Sequence, residues 1–340
     1  MTETSAQGAI HPIDVVIAWV DGGDPVLARK RNKYLNRATD DDINSAVLST
    51  HFASNHEIRY CVLAIMRFAP FVRNIFIVTD GQDPNLDEDI RNNFPERAGS
   101  VRIVDHREIF EGFEENLPTF NSISIANMVW RIKGLSENFV YFNDDVILIR
   151  DHKPEDWFIN NRPVLRGKWL FPPYKKMLRI YIKTLLNVKL GLNPSYQPRL
   201  SFYILQWKVA HFLGMRFRYF FLCHTPHPLD RGTVEKFFLA NREMMEKNIS
   251  YRFRSRDQYL MSSLAYHLEI LSGNRQFAKL NLGYLHPSYS EKRLNRKIRR
   301  SENDKRIKSL CVQSLDMFTD EEQKSLFNWM DRLLGIVVTK

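Results

Sequence analysis

The sequence predicts an α/β fold: a Rossmann-like, mainly parallel sheet flanked by helices, with a helical lobe after it. Two observations carry this expectation. Apolar runs of strand length recur through the first 150 residues without polar alternation, as strands buried on both faces require. Between them lie segments with helical spacing, and strands alternating with helices favour parallel pairing.

Taken in order, Ile13–Val20 (IDVVIAWV) is the first such strand. Glu57–Phe68 (EIRYCVLAIMRF) places apolar residues at helical intervals and stops before Pro70. Asn74–Thr79 (NIFIVT) and Val101–Val104 (VRIV) read as the second and third strands, Ser122–Ile132 as a helix, and Phe139–Phe142 (FVYF) as the fourth strand. These elements make residues 1–150 a Rossmann-like half. From 151 to 222 the texture changes to Trp, Tyr, Phe, Lys, Arg and Pro, with a basic amphipathic stretch at Lys175–Lys189 (KKMLRIYIKTLLNVK). That stretch suits a helix lying on an anionic membrane, or equally one packed on the core with its charges outward. Residues 223–340 are expected to form a helical lobe. Residues 224–272 read as helical, Lys292–Lys308 sets nine Lys/Arg against two acids, and Thr319 with Glu322 marks a helix cap.

Composition narrows the function. With 44% apolar and 12% aromatic residues the 340-residue chain buries a sizeable core. A net charge of +10 favours anionic partners: nucleotide phosphates, an anionic glycan, nucleic acid or an acidic membrane surface. Cys61, Cys223 and Cys311 are far apart and odd in number, which is neither a disulfide framework nor metal spacing. The chain is therefore expected in a reducing, cytoplasmic setting. Met1–Pro12 lacks an apolar signal core, and the apolar stretch 202–222 is broken by Lys208, Arg216 and Arg218, so no membrane span is expected.

The chemistry collects after the strands. In a parallel sheet every strand ends on one edge, where ligands bind. The first strand runs into Asp21-Gly22-Gly23-Asp24, the second into Asp80-Gly81-Gln82, and the fourth into Asn143-Asp144-Asp145. Any one Asp-Gly pair is as compatible with an ordinary turn as with a site; three together after buried strands favour a site. Adjacent carboxylates after a buried strand are costly without a compensating cation, and hard oxygens suit Mg²⁺ or Mn²⁺ bridging phosphates. The Trp19-Val20-Asp21-Gly22 loop admits a nucleotide near the backbone but carries neither GxGxxG nor GxxxxGK[ST]. Asn55 and Arg59, one helical turn apart, suit phosphate oxygens, although a lone arginine is usually a solvated charge. His224 and His227 flank Pro226, which argues against a helical zinc pair; a histidine near a metal-bound diphosphate suits a general base. Arg252 and Arg254 offer bidentate donors for phosphoryl charge, against the plainer reading of a basic helix cap.

These segments resemble the Stealth family of sugar-phosphotransferases. The resemblance rests on IDVVIAWVDGGDP (13–25), and on a long block from Asn55 to Val146 that includes APFVRNIFIVTDGQDP, VRIVDHREIF, LPTFNSISI and GLSENFVYFNDDV. It continues in His224-Thr225-Pro226-His227-Pro228 with Arg252-Phe253-Arg254-Ser255, and in the short Ser309–Val312 (SLCV). It covers roughly half the chain, and 151–222 lies outside it, as an acceptor or membrane module. The resemblance implies that Trp19, Val20, Asp21 and Gly22 form the nucleotide-sugar loop, that Asn55, Arg59, Asp80 and Asn121 shape the donor pocket, and that Asp144 and Asp145 hold Mg²⁺ or Mn²⁺. It implies His224 or His227 as base and Arg252 and Arg254 as phosphate ligands. It further implies transfer of a sugar-1-phosphate, as an N-acetylhexosamine, from a UDP-sugar to a free or lipid-linked glycan hydroxyl with release of UMP. Two rivals stand beside it: a metal-dependent glycosyltransferase releasing UDP, and a basic polyanion-binding protein that does no chemistry. Nucleic acid is not an expected partner.

Overall fold

The computed structural model describes residues 11–35, 57–193, 196, 198 and 200–336. The described strands, in chain order, are β1 (Ile13–Ala18), β2 (Val72–Thr79), β3 (Val101–Asp105), β4 (Asn138–Asn143), β5 (Val146–Leu148), β6 (Phe158–Ile159) and β7 (Arg162–Pro163). They continue with β8 (Leu165–Arg166), β9 (Lys168–Leu170), β10 (Tyr219–Phe221), β11 (His227–Asp230), β12 (Phe277–Ala278), β13 (Leu282–Leu285) and β14 (Ser309–Val312). The central sheet has the order β11-β4-β1-β2-β3. β1 pairs parallel with both β2 and β4, and β2 with β3, whereas β11 is an antiparallel edge beside β4.

The apolar runs are two-sided because both faces of the sheet are covered. Val15, Ile17, Ile75, Ile77, Val140 and Phe142 face one core, under the Glu57–Phe68 helix and the β13-β14-β5 sheet. Val16, Phe76, Val78, Phe139 and Tyr141 face the other, under the helices of 231–271. The neighbouring residues of each strand thus serve opposite layers.

The second half of the chain is woven into this core. β11 joins the central sheet, and β14 pairs with β5. The Asp320–Leu334 helix packs on Glu57–Phe68: Tyr60 stacks on Phe327 with ring centroids 5.5 Å apart and donates to Asp331 at 2.9 Å. Residues 224–272, expected helical throughout, instead open with the β11 strand, because the side chains of His227–Leu229 complete an edge of a buried sheet. The helix expected over 122–132 is Ser122–Ala126 followed by a 3₁₀ turn at Val129–Arg131. The cap at Thr319 forms as expected, its hydroxyl accepting the Glu322 N–H. Gly167 sits where a Cβ would lie 2.5 Å from the Phe221 carbonyl oxygen, so only glycine lets β9 approach β10.

One ion pair between a buried carboxylate and a surface arginine ties the strand starts together. Asp14, fully buried, accepts two bonds from Arg73 at 2.9 and 2.6 Å, plus the backbone N–H groups of Asn74 at 3.1 Å and Ser136 at 2.8 Å. It thereby fixes the entries of β1, β2 and β4 relative to one another. Removing the carboxylate takes the acceptor from the buried Ser136 N–H, the part-buried Asn74 N–H and two donors of Arg73, which keeps its bond to the Gly134 carbonyl. Asp14→Ala is expected to cost about 3 kcal/mol in urea unfolding. Arg242→Ala, which breaks an exposed pair with Glu246, should cost less than about 0.5 kcal/mol. Equal losses would refute this account of the strand entries.

Candidate active site

The strand order places a topological switch at β1. The chain moves from β1 to β2 and β3 on one side, then crosses to β4 on the other, and ligands bind outside the C-terminal ends at such a point. Ala18 is level with both Val78 and Asn143, so the turns after β1, β2 and β4 emerge on one rim. A cavity of about 260 Å³ opens there.

Two of the turns are bonded to each other. The Gln82 side chain accepts the Asp21 N–H at 3.0 Å and donates to the Asp21 carbonyl at 2.9 Å and to Asp24 at 3.0 Å. Gly81, at φ +68, makes the tight turn between Asp80 and Gln82. Asp80 lines the cavity and pairs with Lys30 at 2.5 Å.

The cavity is acidic within a basic protein. Glu57, Asp80, Asp144, Asp145 and Asp316 line it, against the single guanidinium of Arg254. Desolvation, then the charges of Asp145 and Glu57, push the Asp144 pKa well above the usual carboxylate range. Desolvation also raises Asp145, opposed by His224 and by the Cys311 thiol. That thiol donates to Asp145 Oδ2 at 3.4 Å, and burial together with Asp145 keeps it protonated. Asp145 Oδ1 and His224 Nδ1 are both buried without a hydrogen-bond partner. The donor atoms of Asp145, His224 and Cys311 lie within 4.8 Å of one another, so these residues fit a cation. The Asp145 carboxylate is the donor a hard cation takes; the protonated thiol serves Asp145, and the His224 imidazole stands beside the same point.

The sequence-predicted residues divide into two sets. Trp19, Val20, Asp80, Asp144, Asp145, His224 and Arg254 line the cavity. His224 stacks on Phe202 at 5.4 Å, and Arg254 donates to Ser122 Oγ at 2.7 Å, while desolvation lowers its pKa. The rest are held elsewhere. The Asp21 carboxylate folds back onto the Gly23 N–H at 2.9 Å, and Gly22 shapes that same turn. Arg59 is committed to a bidentate pair with Asp89, at 2.8 and 2.6 Å, which occupies its donors. Arg252 donates to the Pro118 and Glu115 carbonyls, both at 2.8 Å, which makes it a clip between loops. Asn121 caps Ser122–Ala126 and donates to Tyr251 O, Phe253 O and Gln258 Oε1, holding the strand of residues that carries Arg254. His227 lies within β11 opposite Tyr141, and desolvation lowers its pKa to about 3, so its ring is neutral and enclosed. Asn55 falls outside the described residues.

Sequence reasoning passed over Glu57, His106, Tyr141, Cys311 and Asp316. His106 is buried with both ring nitrogens unpartnered, and desolvation lowers its pKa to about 4. The signal available for Glu57 and Cys311 was a polar residue in an otherwise apolar run, which is ambiguous without the tertiary contact. All three cysteines are free.

Residues 11–38 match Stealth protein conserved region 1, and residues 51–165 match conserved region 2. A capsular polysaccharide phosphotransferase of Streptococcus thermophilus is 36% identical over 177 residues, which is 51% of this chain and 69% of that protein. The chain belongs to the Stealth family. An exopolysaccharide phosphotransferase of Streptomyces coelicolor is 30% identical over 275 residues, 80% of this chain but 41% of that Stealth-type relative. A capsular polysaccharide phosphotransferase of Actinobacillus suis is 41% identical over 153 residues, 44% of this chain and 38% of its own. The chain thus spans about two fifths of the length of these last two Stealth relatives. Among solved structures, the galactosyltransferase LgtC with donor and acceptor sugar analogs gives a TM-score of 0.44 at 11% identity over 96% of this chain and 97% of that one, a likeness too distant to bear on the site.

The raised carboxylates make a thermodynamic prediction. A carboxyl whose folded pKa lies above 3.8 favours the folded state at low pH, and that advantage is lost as pH rises from 3.8 through the folded value. At neutral pH the charged pair therefore opposes folding. Asp144→Asn and Asp145→Asn should each raise the melting temperature of the cation-free protein by roughly 2 °C. Mn²⁺ or Mg²⁺ should raise it for the wild type and not for Asp145→Asn. A wild-type melt indifferent to both cations contradicts the cation site.

Proposed function

We propose that the protein transfers a sugar-1-phosphate from a UDP-sugar to a glycan hydroxyl, in capsule or surface-polysaccharide synthesis. The observation that carries this reading is the acidic cavity at the β1/β4 switch: five carboxylates face one guanidinium where a nucleotide diphosphate would bind. A diphosphate enters such a place only with a cation between the two sets of charges. The names of the Stealth relatives support phosphoryl rather than glycosyl transfer.

In this reading Asp144 and Asp145 hold Mg²⁺ or Mn²⁺, which when bound neutralises diphosphate charge. Trp19 and Val20 line the nucleotide side. His224 takes the proton of the acceptor hydroxyl, whose oxygen attacks the phosphorus attached to the sugar. The bond from that phosphorus to the bridging oxygen breaks and UMP leaves, so the sugar C–O bond is untouched. Arg254 faces the phosphoryl oxygens as charge spreads over them, and its Ser122 bond holds the guanidinium in place. Incubation with UDP-sugar, acceptor and Mg²⁺ should release UMP; UDP as the acceptor-dependent product rejects the reading. Asp145→Ala should abolish release. His224→Gln should lower turnover at least a hundredfold yet keep the cation-dependent rise in melting temperature, which a ligand role for His224 would remove.

We further propose peripheral docking on an anionic membrane carrying lipid-linked acceptor. Residues 157–229 contain twelve Lys/Arg and no Asp or Glu. Of the eighteen exposed large apolar side chains among the described residues, thirteen fall between Phe171 and Phe217. In the Tyr174–Thr184 helix, Tyr174, Met177, Leu178, Tyr181 and Ile182 share one side, and Lys175, Lys176, Arg179 and Lys183 the other; the helix has no buried residue. This is the pattern of a helix lying in an interface rather than in a core. Among the described residues no helix is long and apolar enough to cross a membrane. Flotation with vesicles containing anionic phospholipid should recover the wild type and lose Leu178→Glu/Tyr181→Glu. Equal recovery of both, or no recovery with anionic vesicles, ends the membrane proposal.

A further inference from the structure

A second cavity, of about 270 Å³, lies behind the turn that carries His224. His224 lines the first cavity, and the next two residues, Thr225 and Pro226, line the second. Arg166, Lys279, Arg306 and Lys308 surround it with one carboxylate, Asp156. That carboxylate is already used: it accepts from Lys308 at 2.7 Å and from the Lys153 N–H at 2.8 Å. Arg306 pairs with Asp304. Arg166 and Lys279 have no carboxylate within 4.0 Å among the described residues, although the β8–β12 pairing, Arg166 level with Ala278, brings them side by side. Desolvation depresses the Arg166 pKa, and desolvation, helped by Lys308 and Arg166, pushes the His152 ring towards its neutral form. Thr225 is 3% exposed, and its buried hydroxyl has no hydrogen-bond partner.

A half-buried guanidinium whose nearest carboxylate, Asp156, is already paired with Lys308, and a buried hydroxyl without a partner, are both costly to leave unsatisfied. One ligand answers both: a tetrahedral oxyanion with several acceptor oxygens, reached by a guanidinium fork, an ammonium and a hydroxyl. A neutral sugar would answer the hydroxyl alone and leave the guanidinium without an anion. We propose that this cavity is a phosphoryl subsite for the acceptor, holding the phosphodiester that precedes the attacking hydroxyl. The proposal rests on the sugar-phosphate transfer reading. A glycan passing the 224–226 turn presents its terminal hydroxyl to His224 and its preceding phosphate to Arg166, Lys279 and Thr225. The product of one transfer carries the group that the subsite takes, so the same arrangement favours repeated transfer.

The test uses the full chain without donor or divalent cation. By calorimetry it is titrated with a short oligosaccharide containing one internal phosphodiester, with the same sugars joined without phosphate, and with inorganic phosphate. The phosphodiester oligomer should bind at least tenfold more tightly than either comparison. Arg166→Ala and Lys279→Ala should each weaken it fivefold or more; Lys279 is exposed, so its removal leaves the fold intact. Equal affinity for charged and neutral oligomers, or affinity unmoved by both variants, overturns the subsite. Inorganic phosphate binding as tightly as the oligomer overturns its assignment to the acceptor. Oligomer binding with no UMP release would sink the transferase reading alone, and UMP release with equal KM for charged and neutral acceptors would sink the subsite alone.

Discussion

The parallel register of β1, β2 and β4 is the constraint on which the site depends. Because these strands are level at Ala18, Val78 and Asn143, their exits share one rim, and acidic turns from distant parts of the chain are forced into one small volume. Partial burial and the crowding of acids there make Asp144 and Asp145 hold their protons more strongly than free carboxylates. The fold tolerates this cost because Asp14 and Arg73 secure the opposite ends of the same strands. Stability is concentrated at one edge of the sheet and chemistry at the other.

The second half of the chain completes the rim from across the sheet. β11 docks beside β4 and holds the turn with His224 next to Asp145, while β14 brings Cys311 to the same carboxylate. Neither strand belongs to the parallel set of the central sheet: β11 is its antiparallel edge, and β14 is the middle strand of the separate β13-β14-β5 sheet. Asn121, Arg252 and Gln258 form a scaffold of backbone bonds around 251–258, and the result is one guanidinium, Arg254, facing the acids. Two arginines two residues apart thus have different work: Arg252 binds loops together, and Arg254 faces the cavity.

Charge is segregated by function across the surface. Basic residues are bunched along the chain, with twelve in the acid-free stretch 157–229 and nine in 292–308. In the latter, the Glu291–Asn303 helix buries Leu294 and Ser301 and turns its charges to solvent, the ordinary fate of such a run. The 171–192 stretch differs, since its apolar side chains are exposed along with its charges. Exposed apolar area on that scale points to a surface that is covered when the protein works.

The sequence by itself determined the sheet and its rim. Two-sided apolar runs ending in Asp-Gly, Asp-Gly and Asn-Asp-Asp are local patterns, and parallel pairing converts them into one edge without further information. Trp19, Val20, Asp80, Asp144 and Asp145 were legible for that reason; His224 and Arg254 were singled out by residue type and by the family resemblance. The tertiary structure decided which of two similar candidates faces the cavity. His227 and His224, or Arg252 and Arg254, look alike in one dimension, and only the β11 ladder and the carbonyls around Arg252 separate them. Arg59 read as a phosphate ligand until Asp89, thirty residues away, filled its guanidinium. The same holds for Cys311, whose pairing with Asp145 spans 166 residues. A side chain's partner is set by packing across elements, and no spacing along the chain encodes it.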